Sequence, residues 1–233
     1  MKKIYILKCI AVILLITPCF IQAQDAMTVL DKIMDYYASH STISYEMDIH
    51  YYEQLNSEVA DYTAKMLVVA KEGQQYSRIN TDQGSFEQFT GHGLSLGVNH
   101  SAKTIHFSNQ KMEQTTNPGF SNILALAQLE EVQFESIVDK DKNKGLRLSA
   151  PHTSDTVIEL FYDDHYRLLS TKLIISVLSD QYSNALNGKK IQTYFSYKNN
   201  NKTVQLSDFV QIRSGQYVVA QSLSGYTLLD GNL

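Results

Sequence analysis

Tryptophan is absent from the 233-residue chain, and its only two cysteines, Cys9 and Cys19, fall within the first nineteen residues. Beyond Cys19 there is therefore no disulfide, no thiol nucleophile and no cysteine metal ligand. Basic residues are also short: 20 Lys and Arg stand against 24 Asp and Glu, a formal net charge of -4. Without a basic stripe, the phosphate attraction that dominates nucleic-acid affinity is missing, and adhesion to anionic headgroups is disfavoured for the same reason. Long hydrophobic runs are lacking too. The run from Cys9 to Ile16 is too short to span a bilayer, and no later segment approaches the roughly 20 apolar residues that spanning needs. Neither cysteine follows a small residue such as Gly or Ala, since Lys8 precedes Cys9 and Pro18 precedes Cys19, which argues against a lipid anchor.

What is present begins with Lys2, Lys3 and Lys8, the apolar run, a breaker at Pro18 and a small residue at Ala23. That is the layout of a secretory signal peptide, predicted to span residues 1–23 and to leave Gln24 first. The remaining stretch, 24–233, has a length suited to one domain with a substantial core. Loss of the three leader lysines lowers its net charge to about −7, which favours a neutral or apolar partner. Tyrosine (15) and phenylalanine (9) are plentiful, a composition suited to sheet.

Asp25 is placed to cap a helix whose residues Ala26, Val29, Leu30, Ile33 and Tyr37 form one apolar stripe. From Ile43 the period changes to two, with Ile43, Tyr45, Met47, Ile49 and Tyr51 pointing one way and Ser44, Glu46, Asp48 and His50 the other. Strand patterns follow at Tyr62 to Ala70, Tyr76 to Ile79, Phe86 to Phe89, Leu94 to Val98 and Ile105 to Phe107, an antiparallel meander. Asn117-Pro118 then opens a helix on which Phe120, Ile123, Leu124 and Ala127 repeat, with Leu126 and Leu129 off that stripe. A helix apolar on most of its surface needs cover on several sides, which makes it a candidate lid. Strands resume at Phe134 to Val138, Leu146 to Leu148, Val157 to Tyr162, Leu168 to Ile175, Ile191 to Tyr197 and Phe209 to Ile212, with closing segments at Tyr217 to Val219 and Tyr226 to Leu229.

Several short patterns imitate catalytic or metal sites. Gly93-Leu94-Ser95-Leu96-Gly97 matches the G-x-S-x-G expression of serine hydrolases, with Asp163, Asp164 and His165 downstream. Ser95 nevertheless sits within a strand pattern, whereas a nucleophile elbow needs strand, sharp turn and helix. Asp139, Asp141, Asn143 and Gly145 mimic a calcium loop, but the sixth and twelfth positions hold Lys144 and Ala150, so a solvated hairpin turn is expected. His92, His100 and His106 have neither the helical spacing nor the cysteine partners of a zinc site, and no metal or cofactor is expected.

The plan of helix, meander, apolar helix and further strands resembles the LolA-type periplasmic carriers of outer-membrane lipoproteins. The stretches that carry the likeness are TISYEMDIHYY, MLVVAKEGQQYSRI, GHGLSLGVNHSAKTIHF, the Asn117-Pro118 helix, FYDDHYRLLSTKLII and KKIQTYFSYKNN, covering nearly all of 24–233. The resemblance implies an α+β fold in which a curved antiparallel sheet forms an incomplete, half β-barrel closed by the N-terminal helix and the mid-chain lid. It also implies a monomeric, non-enzymatic protein in the periplasm of a Gram-negative cell that binds the acyl chains of a lipoprotein or lipid and shuttles it from an inner-membrane donor complex to an outer-membrane acceptor. A non-transporting envelope sensor of the same fold is the alternative implied, and a hydrolase using Ser95 the remaining one. An apolar cavity would be lined by Tyr45, Met47, Ile49, Met66, Val68, Tyr76, Phe86, Phe89, Leu124, Leu126, Leu129 and Phe195, since Met and aromatic side chains repack readily around a cargo. Lys71 or Arg78 would be the basic residue that holds the closed state, although the basic-proline step these carriers usually have before the third strand is here Lys71-Glu72-Gly73.

Overall fold

The computed structural model describes residues 26–71, 73–108, 132–150, 156–176, 189–214 and 216–230. They are mostly antiparallel sheet with one helix. The leader, and the expected lid helix with Leu124, Leu126 and Leu129, lie outside the described residues. The chain divides into two compact units: Met1–Ser39 with Gly119–Gln192, and His40–Pro118 with Thr193–Leu233.

The first unit holds a helix, α1, over residues 26–39. Its buried residues are Ala26, Leu30 and Ile33, the stripe that the i, i+4, i+7 spacing dictates. The Tyr37 hydroxyl accepts a hydrogen bond from the Leu168 backbone N–H, and Lys32 Nζ donates to the Tyr166 hydroxyl while lying over its ring. Four antiparallel strands belong here: β7 (Gln133–Val138), β8 (Lys144–Ala150), β9 (Thr156–Tyr162) and β10 (Leu168–Ser176). The register pairs Leu146 with Leu160 and Leu148 with Ile158, all fully buried, on one face. On the other face Arg147 bridges Glu135 and Glu159, whose second oxygen lies 3.8 Å from Lys172. Strand β11 (Lys190–Asn199) starts in this unit and continues into the second.

The second unit is built on a six-strand meander of β1 (Thr42–Tyr52), β2 (Tyr62–Lys71), β3 (Gln74–Thr81), β4 (Gly84–Gly91), β5 (Leu94–Asn99) and β6 (Thr104–Ser108). Each strand pairs antiparallel with the next. The β4–β5 connection is the two-residue loop His92-Gly93, both with positive φ (55° and 77°). That is the primed turn whose twist matches a hairpin, and the second position suits glycine. After β11 the chain forms a hairpin of β12 (Val210–Arg213) and β13 (Gln216–Val219), flanked by 3-10 turns at Leu206–Asp208 and Gln221–Leu223. The last strand, β14 (Thr227–Asp230), lies parallel to β6, where the sequence implied only antiparallel pairing. The chain between β6 and β14 runs through β7–β13, a connection far longer than the dozen or so residues that a parallel pair needs.

This returning segment covers one face of β3–β6 and the adjoining Leu67 and Val69 of β2. Phe209 packs on Tyr76 and Phe89 with ring centroids 5.9 and 5.8 Å away, and Tyr217 packs on Phe107 at 4.6 Å. Together with Leu67, Val69, Leu96, Val98 and Ile105 they form one core. Phe209→Ala should destabilise the protein by about 3–5 kcal/mol, the usual result of deleting a buried ring, read as a lower urea midpoint; a loss below about 1 kcal/mol would mean that the C-terminal segment is not part of the core.

Candidate functional site

Successive side chains of a strand point to opposite faces, so the register sorts every residue of β1–β6. The face opposite the sealed core is crossed by rows of cross-strand neighbours. One row runs Tyr45, Val68, Ser77, Gln88, Gly97; the next runs Met47, Met66, Ile79, Phe86, Asn99; a third pairs Ile49 with Ala64. Strand β11 adds to this side. The Asn200 N–H bonds the Ser44 carbonyl, His50 lies against Tyr194, and Tyr197 meets Tyr45 edge-on at 5.7 Å, so alternation places Phe195 with Tyr197 on the Tyr45 side. The result is a contiguous apolar surface of Tyr45, Met47, Ile49, Met66, Val68, Ile79, Phe86 and Phe195. Tyr45 and Val68 are buried, Met47, Ile49, Met66, Ile79 and Phe195 half-buried, and Phe86 is 42% exposed. The Phe86 ring lies over Gly97, where an added Cβ would stand 3.3 Å from it.

The residues expected to line one cavity thus divide between two faces. Seven of them, Tyr45, Met47, Ile49, Met66, Val68, Phe86 and Phe195, share the open face. Tyr76 and Phe89 are on the other, packed beneath Phe209, with Phe89 only 1% exposed. Arg78 is also on the core side, where its Nε donates to Asn80 Oδ1 and Ser85 Oγ and its guanidinium stands 3.6 Å from Glu87. Lys71 is exposed at the end of β2, opposite Gln74.

A polar cluster that the sequence reading did not single out occupies the core face. Glu87 is 8% exposed and alternates with Phe89 on β4. Its Oε2 accepts from the Tyr76 hydroxyl at 3.0 Å, and its Oε1 is 2.8 Å from His100 Nε2. An ionised carboxylate only accepts, so His100 carries a proton on Nε2, and in the neutral ring Nδ1 accepts from the Tyr226 hydroxyl 2.8 Å away. Burial, followed by the charge of Glu87, pushes the Tyr76 phenol well above the usual tyrosine range. A charged residue at a position whose parity is otherwise apolar is the signal by which Glu87 could have been found.

The imitation motifs resolve into ordinary local structure. Ser95 is the second residue of β5, whose strand continues to Asn99, while Gly93 serves the hairpin turn and Gly97 makes room for Phe86. Asp163, Asp164 and His165 form the β9–β10 turn, with Asp163 Oδ1 accepting from the His165 and Arg167 N–H groups. Asp139 folds the β7–β8 turn by accepting from Asp141 N, Asn143 N and Asn143 Nδ2, and the last of these bonds holds its carboxyl below the usual range. His92 bonds Gln74, His100 bonds Glu87, and His106 is exposed on β6. Among the described residues no group of three or more His, Cys, Asp or Glu is placed to hold a metal. No helix among them is long and apolar enough to cross a membrane.

The Tyr76 shift has a definite sign. The folded phenol holds its proton beyond the pH at which the unfolded one releases it, about 10, so this contribution to stability is intact below that pH and is lost as pH rises above it. Absorbance titration near 295 nm should show a late class of tyrosines, and Tyr76→Phe should remove one equivalent from it and flatten the alkaline fall in stability. An unchanged late class would contradict the buried hydrogen bond to Glu87.

No protein-family model matches the chain, and no curated protein matches it. Among solved structures, it is similar to an uncharacterised conserved protein of Thermus thermophilus, with 9% identity and a TM-score of 0.47 over 88% of this chain and 99% of that one. It is similar to a chain of the Pseudomonas aeruginosa MucA/MucB complex, with 14% identity and a TM-score of 0.42 over 84% of this chain and 63% of that one. A domain assigned to outer membrane lipoprotein sorting in Vibrio parahaemolyticus gives 12% identity and a TM-score of 0.31 over 78% of this chain and 96% of that one. At TM-scores below 0.5 none of them bears on what this chain binds.

Proposed function

We propose that this protein is an exported binding module that takes up the acyl chains of a lipid or lipoprotein on the open face of its second unit and carries them between membranes. The observation that supports this reading is the two-faced meander. A sheet normally needs one apolar face for its core, and here Phe209 and the C-terminal hairpin already cover that face. A second apolar face lies opposite. Although Tyr45, Ala64 and Val68 on it are buried, Met47, Met66, Ile79 and Phe195 are half-buried and Phe86 is 42% exposed, which leaves part of it within reach of an apolar ligand. Met47 and Met66 are directly paired across β1 and β2, with Ile79 and Phe86 continuing the row. Flexible thioethers and a partly exposed ring adapt to an acyl chain and release it again more readily than a rigid branched core does. Burial of apolar area at about 25 cal/mol per Å² supplies the affinity without a charged anchor. The predicted leader, residues 1–23, fits such a role outside the cytoplasm.

The test uses the uncharged apolar fluorophore N-phenyl-1-naphthylamine. The protein should bind it with enhanced emission, and Phe86→Asp should weaken binding by about tenfold or more, because a half-exposed position tolerates the charge in the free protein but not against an apolar ligand. Far-UV circular dichroism should stay native. Phe89→Leu, on the sealed face, should leave probe affinity unchanged. Absence of probe binding, or equal effects of the two substitutions, would refute the reading.

A further inference from the structure

One edge of the first unit is left unguarded. Among the described residues β7 (QFESIV) pairs with β8 alone and ends the strand order. None of its six residues is buried, and Gln133, Glu135, Ser136 and Val138 are exposed. Exposure of both Glu135 and Ser136, which point to opposite faces, fits a strand with an open side; β8, one strand inward, is exposed only at Lys144. Natural edges are guarded by shortness, proline, lysine or a bulge. β14, the other terminal strand, is four residues long and closes on Asp230. β7 has an unbroken register, no proline and no lysine, and its one charge, on Glu135, lies 2.7 Å from Arg147.

The residues of this edge fit a second copy of themselves. Antiparallel strands related by a two-fold axis keep each face continuous only when the axis passes through a residue, because directly opposed side chains share a face. With five residues of β7 paired, that residue is Glu135 or Ser136. Centring on Glu135 sets two carboxylates directly opposite, which is unfavourable. Centring on Ser136 instead pairs Phe134 with the second copy's Val138, and Glu135 with the second copy's Ile137. The first of these pairs supplies what Val138 lacks. Within its own chain Val138 stands opposite the exposed Lys144 and is 67% exposed. In the joined sheet it extends the row Ile158, Leu148 and Phe134, whose first two members are fully buried.

We infer that β7 is a homodimer interface: two copies join antiparallel, edge to edge, with Ser136 on the two-fold axis. This goes beyond the ligand reading and replaces the monomer that the family resemblance implies. A two-fold pairing uses each β7 once and closes, so the contact does not propagate into fibres. An interface one strand wide is at the small end of specific contacts, which makes the dimer concentration-dependent.

Sedimentation velocity on the purified protein should show a species of twice the monomer mass that grows with concentration and dominates by about 100 μM. Ser136→Lys sets like charges opposite each other across the axis, at a position exposed in the single chain. It should weaken association about tenfold or more while far-UV circular dichroism stays native. Disulfide capture reports the register. In protein carrying Cys9→Ser and Cys19→Ser, Ser136→Cys should form a disulfide-linked dimer under mild oxidation, since opposed residues have Cβ atoms about 4.5–5.5 Å apart. Val138→Cys should not, although its site is 67% exposed, because the two copies of that residue stand about 13 Å apart along the ladder. A monomer at the highest concentration, a dimer untouched by Ser136→Lys, or Val138→Cys linked as fast as Ser136→Cys overturns the assignment. Where the protein is a monomer, alkylation of Ser136→Cys identifies what replaces the second copy: slow reaction means another part of this chain covers the edge, and fast reaction leaves it to a strand of a different protein. If Ser136→Lys does not fold, the two cysteine variants decide.

Discussion

The alternation of side chains along a strand, locked by register, is the constraint on which the rest of the structure depends. A slip of one residue in a pairing between β2 and β6 would turn the strands on one side of it over, carrying residues such as Leu67 and Val69, or Phe89, or Leu96, or Ile105, out of the core and bringing Met66, Gln88 or Ser95 into it. The cost of exposing such large side chains, about 1.5–3 kcal/mol each, excludes the slip. The core therefore determines what the other face displays. Phe209 and Tyr217 cover the core side over Tyr76, Phe89 and Phe107, while on the opposite side Tyr45, Ala64 and Val68 are buried in their turn.

The charges reinforce the same division. Glu87 is a carboxylate within an apolar layer, and its burial is tolerated because Tyr76, His100 and Arg78 supply donors around it. Removing the carboxylate would leave the buried Tyr76 hydroxyl without its acceptor, a loss of about 1–3 kcal/mol, whereas Arg78, with 37% of its side chain exposed, keeps its contact with water. Tyr226 joins the cluster through His100, so the network ties β3, β4, the β5–β6 turn and the segment before β14 into one element. Asp48 plays a milder version of the role at the rim, held below the usual carboxylate range chiefly by its hydrogen bond from Lys198.

Much of the secondary structure was legible in local pattern. The stripe of Ala26, Leu30 and Ile33 gives the helix, and the period-two run TISYEMDIHYY gives both β1 and its two faces. The grouping of site residues was less legible for a physical reason. MLVVA on β2 is apolar on both faces, so alternation alone does not show which side is core, and register between strands is a property of pairing rather than of either sequence. Met66 and Tyr76 consequently read as equivalent, although one lies open and the other under Phe209. The closing segments were recognised as strands, but their partners were not. The parallel docking of β14 on β6 depends on a crossover that no local pattern encodes. Glu87 was passed over because a single acidic residue in a strand is ordinary unless its parity with Phe89 is followed across the sheet.

The central claim is that ligand occupies the face of Met47, Met66, Phe86 and Phe195, not the face of Phe89. Photolysis of a bound monoacylglycerol carrying a diazirine near the end of its chain, followed by peptide mass spectrometry, tests it directly. The account predicts adducts on Tyr45, Met47, Met66 or Phe195 that disappear when unlabelled glyceride is added. Adducts concentrated on Phe89, Leu96 or Phe209 would contradict it.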